Sequence, residues 1–165
     1  MKITIFGVGG IGGYLTGKLG ALMGESGGDI ESLSVVARGE HLQEIRRNGL
    51  KFIDVEGNTR TVQPTLATDK PEELSPADIV LLCVKGYDLE PAAAAIKNKV
   101  ADGGAVLPLL NGADIRERVK QQLPDTTVYP GTIYISSTII EPGTVQHMGG
   151  KGIIIFGKDG DHPQD

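Results

Sequence analysis

The apolar pattern changes period several times along the first fifty residues. Lys2–Phe6 alternates β-branched and apolar positions and reads as a buried strand that Gly7 ends. From Ile11 the spacing becomes helical, through Leu15, Leu19, Leu22 and Met23. This helix is expected to stop near Gly24, with Glu25–Asp29 as a loop. Leu33–Ala37 reads as a second strand. Glu40–Asn48 reads as a short helix with Leu42 and Ile45 inward and Gly49 just past its end. A β-α-β-α order predicts a parallel sheet with crossover helices.

Further along, Leu50–Val55 and Thr59–Gln63 flank Glu56-Gly57-Asn58 as a hairpin. Ile79–Val84 is apolar on both faces, as a central parallel strand should be. Asp88 is placed to cap a helix containing Ala92–Ala95. Ala105–Leu110 reads as another strand, with Pro108 awkward in it. Ile115, Val119 and Leu123 put an apolar stripe on the next helix. After Pro124 the helical pattern disappears. Thr127–Ile140, Thr144–Met148 and Gly152–Phe156 predict an antiparallel meander, turning at Glu141-Pro142-Gly143 and Gly149-Gly150. The final KDGDHPQD is expected to fray. The fold class is therefore α/β: a mostly parallel sheet with helices on both faces and an antiparallel C-terminal meander. Residues 1–165 read as a single domain.

Composition narrows the function. Formal charge is −5, with no basic run and no tryptophan, which argues against nucleic acid. The longest apolar run is too short for a membrane span. The N-terminus fails as a signal peptide because five glycines break its apolar stretch. A cytoplasmic protein is expected. Cys83 is the single cysteine and reads as a core residue, and three scattered histidines suggest no metal site. The chain has 24 glycines in 165 residues, about twice the usual share.

Some of that glycine carries chemistry. Gly7-Val8-Gly9-Gly10-Ile11-Gly12 matches G-x-G-x-x-G directly between the first strand and the first helix. The first glycine suits a tight turn, the second lets backbone approach a pyrophosphate, and the third lets helix and strand pack closely. The helix N-terminus then presents free N–H groups to phosphate. Gly13, Gly17, Gly20 and Gly24 continue down the helix. Glycine there costs about 1 kcal/mol against alanine, so close approach of a sheet or a neighbouring domain is expected.

At the tip of the second strand, Val36-Ala37-Arg38 carries no acid to hold a ribose 2′-hydroxyl. Arg38 instead offers a fork of donors suited to a 2′-phosphate, so NADP is expected over NAD. Lys85 and Asn111 directly follow two later strands, at the edge where ligands of open α/β sheets lie. Each precedes a glycine, Gly86 and Gly112. Lys85 could attract phosphate or carboxylate; Asn111 could orient a carbonyl, hydroxyl or carboxamide.

The elements KITIFGVGGIGGYL, VVARGEHLQEIRRNGL, ADIVLLCVKGYDL, LPLLNGADI and PGTVQHMGGKGIIIFG occur in this order, and together the chain resembles the ketopantoate reductases (2-dehydropantoate 2-reductases) over essentially its whole length. The resemblance implies a Rossmann-like NADP-binding domain. It assigns cofactor binding to Gly7, Val8, Gly9, Gly10, Ile11, Gly12, Arg38 and Lys85. It places Asn111 near nicotinamide and substrate, and Ser137 against cofactor through its backbone. It implies an oxidoreductase that reduces ketopantoate to pantoate with NADPH, for pantothenate and coenzyme A synthesis. Family members continue into a C-terminal helical domain that supplies the general-acid lysine and most substrate contacts. This chain stops where the first domain is expected to end, so no catalytic residue is assigned, and the fragment is expected to bind cofactor without turnover. Two other readings stay open: the NADP-binding domain of another 2-oxo or 3-hydroxy acid reductase, and a stand-alone NADP-binding regulatory module. A face normally covered by the second domain is expected to be exposed, which leaves room for a homodimer.

Overall fold

A computed structural model describes residues 1–23 and 29–157. In chain order the elements are β1 (Lys2–Phe6), α1 (Gly10–Gly20), β2 (Ser32–Val36), α2 (Gly39–Asn48), β3 (Leu50–Ile53), β4 (Thr59–Val62) and β5 (Leu66–Thr68). Then follow β6 (Ala77–Leu82), α3 (Leu89–Ala95), β7 (Val100–Pro108), α4 (Ile115–Gln122), β8 (Thr127–Val128), β9 (Gly131–Glu141) and β10 (Thr144–Phe156). Six strands form a parallel sheet in the order β5-β2-β1-β6-β7-β8. Leu42 and Ile45 of α2 share a core with Leu15 of α1 on one face. Leu89 and Ala93 of α3 share another core with Ile115 and Val119 of α4. The central strands β1 and β6 are apolar on both sides because both faces are covered.

The antiparallel strands do not extend this sheet. β9 and β10 pair with each other, and β3 joins β10 in parallel, giving a second sheet of order β4-β3-β10-β9. The expected break at Gly149-Gly150 is instead an irregularity inside one long strand, with register shifts on either side of Gly149. Glycine at positive φ lets β10 bulge there without ending. The second sheet packs on α1, which is therefore covered on both sides. Its residues are accordingly small or apolar nearly all round rather than striped.

The glycines of α1 divide between the two sheets. A Cβ on Gly12 would overlap the carbonyl oxygen of Gly7, beside Ile5 of β1. Gly10, Gly13, Gly17 and Gly20 face the other way, at helical spacing. A Cβ on them would overlap, in turn, the Ser137 carbonyl of β9, Val145 of β10, Phe52 of β3 and Val62 of β4. Each strand of the second sheet thus rests on one glycine. The expected close approach is present for Gly13, Gly17 and Gly20; Gly24 and most of the expected 25–29 loop lie outside the described residues, as does the 158–165 tail. The helix itself ends at Gly20, a turn earlier than the apolar spacing suggested.

Two more differences are local. β5, a three-residue edge strand, has no alternating pattern long enough to announce it. Pro108 is tolerated because it ends β7: Leu109 donates its N–H to Leu82, so the donorless nitrogen of Pro108 faces the β8 side, beyond the pairing of Ala105 and Val106. Among the described residues, nothing covers the outer face of β9–β10. Tyr134 and Ile153, opposite each other in register, are 60% and 47% exposed, while Ile133, Ile135 and Ile154 point into the core. Among the described residues, no helix is long and apolar enough to cross a membrane, and no cluster of His, Cys, Asp and Glu is placed to hold a metal.

Candidate functional site

The carboxyl ends of the parallel strands are tied into a rigid frame. The N–H groups of Gly7 and Val8 both donate to the Val36 carbonyl at 3.0 Å, joining the glycine turn to the tip of β2. Cys83 donates to Phe6 at 2.8 Å, joining the same turn to the tip of β6. Gly7 adopts φ +100°, where a side chain would be strained and would also press on Val84 and Cys83. Around Gly9, by contrast, nothing among the described residues lies within 4 Å of a would-be Cβ. The first ladder bond of α1 runs from Gly13 N–H to Gly9 O at 2.8 Å. The N–H groups of Gly10, Ile11 and Gly12 therefore precede the ladder and remain donors at a helix N-terminus.

A cleft in two adjoining lobes opens above this frame. One lobe, of about 260 Å³, is bounded by Gly7–Gly9, Arg38, His41, Lys85, Asp88 and Ile139 of β9. The other, of about 200 Å³, is bounded by Gly9–Ile11, Cys83–Gly86, Leu110 and Asn111. Gly9, Cys83, Val84 and Lys85 line both. A larger depression of about 650 Å³ lies at the opposite, amino-terminal edge, around Lys97–Gly104 and Asp125–Thr127. It lacks the glycine turn, and ligands of open α/β sheets sit at the carboxyl edge. The smaller, two-lobed cleft is therefore the candidate site.

Most expected residues converge there. Gly7, Val8, Gly9, Arg38 and Lys85 line the first lobe; Gly9, Gly10, Ile11, Lys85 and Asn111 line the second. Gly12 serves the frame from behind. Ser137 is not among the lining residues. Its carbonyl packs on Gly10, and its hydroxyl lies within hydrogen-bond distance of the carbonyls of Gly10 and Gln146, at 3.0 and 3.1 Å.

Three further lining side chains carry no site role in the sequence reading, which makes Asp88 a helix cap and Cys83 a core residue and gives His41 no role. Asp88 stands at the cap position of α3, but its carboxylate makes no capping bond. It pairs instead with Arg38, Oδ2 to Nη1, at 3.4 Å. His41, in the first turn of α2, accepts the Gly143 N–H on Nδ1 at 2.9 Å, which leaves the hydrogen on Nε2. That Nε2 is buried and has no partner among the described residues. Desolvation holds this imidazole below its usual pKa. Cys83 lies in the cleft floor; the residue is partly exposed, yet the thiol's surroundings push it up to about 12 by desolvation. The Lys85–Asp88 turn is held from outside by Arg118, which donates to the Gly86 carbonyl at 2.8 Å and pairs with both carboxylate oxygens of Glu90.

The doubly covered parallel sheet, the glycine turn opening α1 and the cleft at the strand tips define a Rossmann-like domain. The sequence profile of the family described as ketopantoate reductase PanE/ApbA matches residues 3–160. The chain belongs to that family. It is 35% identical over 150 residues to the 2-dehydropantoate 2-reductase of Halobacterium salinarum, covering 91% of this chain and 47% of the relative. It is 34% identical over 171 residues to the enzyme of the same name from Mesorhizobium japonicum, covering 92% of this chain and 50% of the relative. Among solved structures, the 2-dehydropantoate 2-reductase from Porphyromonas gingivalis W83 superposes with TM-score 0.83 at 38% identity, over 94% of this chain and 53% of that one. The chain thus spans about half the length of these relatives. Family and fold imply a nicotinamide cofactor.

Proposed function

We propose that this chain is the cofactor-binding half of an NADPH-dependent 2-dehydropantoate 2-reductase, which reduces ketopantoate to pantoate. The observation that carries the reading is the placement of Arg38 on the rim of the same lobe that Gly7–Gly9 floor. A dinucleotide needs the two together. The open side of Gly9 and the donors of Gly10, Ile11 and Gly12 suit a pyrophosphate. The guanidinium suits a 2′-phosphate one ribose away. Bound NADPH would supply the hydride. Lys85, exposed between the lobes, adds positive charge along the phosphates. Asn111, in the second lobe, would orient the carboxamide or the substrate carbonyl. Ser137 would act on the cofactor through Gly10, by holding the start of α1 against β9.

No residue here is assigned as the acid that protonates the developing alkoxide. That group, and the partner for the uncovered β9–β10 face, would come from the half of the relatives that this chain does not span. The chain alone is therefore expected to bind NADPH and not to turn over.

Calorimetric titration of NADPH and NADH into wild type and Arg38→Ala tests the cofactor reading. Losing a charge-assisted contact should weaken NADPH by about 1.5–3 kcal/mol and leave NADH nearly unchanged. Equal losses for the two cofactors would refute a 2′-phosphate role. Steady NADPH oxidation by this chain with ketopantoate would refute the assignment as an inert half.

A further inference from the structure

The cleft holds an acid where a phosphate-selective site should have none. Asp88 is fixed by its own N–H, which donates to the Lys85 carbonyl at 2.9 Å. Its position is that of a helix cap, yet the carboxylate forgoes capping and reaches across the lobe to Arg38. Arg38 belongs to the tip of β2 and Asp88 to the loop after β6. The tip of β2 carries no acid of its own, but a neighbouring strand's loop delivers one to the same guanidinium. Both side chains line the lobe, with Arg38 69% and Asp88 31% exposed. An incoming ligand would meet both.

We propose that Asp88 is a specificity-determining residue that sets the ratio between phosphorylated and unphosphorylated dinucleotide, and that it narrows the preference Arg38 creates. This rests on the cofactor reading above. Guanidinium only donates hydrogen bonds and carboxylate only accepts them. A 2′-phosphate must take Arg38 from Asp88 and then sit beside a like charge. A ribose 2′-hydroxyl can donate to Asp88 while the ion pair stays intact. Each cofactor therefore has one favourable partner in the lobe, and the phosphate pays a penalty that the hydroxyl does not. The repulsion involves partly exposed groups, so salt should weaken it.

Asp88→Asn tests this, because it keeps the shape and removes the charge. NADPH and NADH are titrated into the wild-type chain, Asp88→Asn, and Asp69→Asn. Asp69 pairs with Arg46 at the same 3.4 Å, outside the cleft lining, and serves as a control. In Asp88→Asn the NADH-to-NADPH ratio of Kd values should rise by about tenfold, through tighter NADPH and unchanged or weaker NADH. The rise should shrink in high salt, and Asp69→Asn should leave the ratio alone. A ratio within about twofold of wild type in Asp88→Asn overturns the proposal, as does equal weakening of both cofactors. If the wild-type chain binds neither dinucleotide, the cofactor reading falls as well; if it binds them and the ratio does not move, only this inference falls.

Discussion

His41 and Gly143 are 102 residues apart in sequence and 2.9 Å apart in space, the imidazole Nδ1 accepting the backbone N–H. The bond joins the first turn of α2, three residues after Arg38, to the β9–β10 turn. It ties the second sheet to the rim of the cofactor cleft.

That bond should make stability depend on pH. The folded state depresses the His41 pKa by desolvation, so the unfolded chain binds the proton more readily. The contribution is fully present above about pH 6.5, the unfolded value, and is lost as pH falls from there towards the folded one. Once protonated, Nδ1 cannot accept from Gly143, a loss of about 1 kcal/mol. Thermal unfolding at pH 7.5 and 5.5 should show wild type losing more stability on acidification than His41→Asn. The same drop in both would exclude His41 as the titrating group.

The two ends of the glycine fingerprint should respond differently to alanine. Gly9→Ala places a methyl in open space, so folding should survive while dinucleotide affinity collapses. Gly12→Ala drives a methyl into the Gly7 carbonyl and should cost about 1–3 kcal/mol of stability. Melting curves and cofactor titration on the pair separate the roles. Normal NADPH affinity in Gly9→Ala would mean the phosphates do not pass there.

Gly17→Ala sets helix propensity against packing. The propensity gain is about 1 kcal/mol, but the methyl would overlap the Phe52 ring. Packing should win, with net destabilisation of about 1–2 kcal/mol by urea unfolding. A more stable Gly17→Ala would show that the second sheet is not seated tightly on α1.

Cys83 offers a reporter without mutation, being the single thiol in the sequence. With its pKa pushed up to about 12, it should react with a thiol reagent at pH 8 far more slowly than in denatured chain. Saturating NADPH should slow it further, since Cys83 lines both lobes. Labelling unaffected by NADPH would place the cofactor elsewhere.

The parallel sheet and glycine turn were legible because each rests on local chemistry: a strand's apolar run, then a turn only glycine allows. Arg38, Lys85 and Asn111 could be placed because each directly follows a readable strand. Asp88 could not. Its cap position has a sufficient local explanation, and only the placement of β2 and β6 on either side of β1 brings it to Arg38. His41 was hidden likewise, its partner being a backbone N–H in a distant turn. The second sheet was misjudged for the same kind of reason. Alternation identifies strands but not their neighbours, and the parallel pairing of β3 with β10 joins segments about ninety residues apart.

The spacing between α1 and the second sheet also fixes the headroom over the nucleotide. Ile139, carried on β9, is one wall of the lobe that holds Arg38. β9 can stand that close only because the helix beneath its sheet is bare at positions 10, 13, 17 and 20. Residues up to three turns away from any phosphate thus gauge the height of the chamber. In a related sequence, bulky side chains at those positions would announce a wider chamber, even where every residue of the fingerprint is kept.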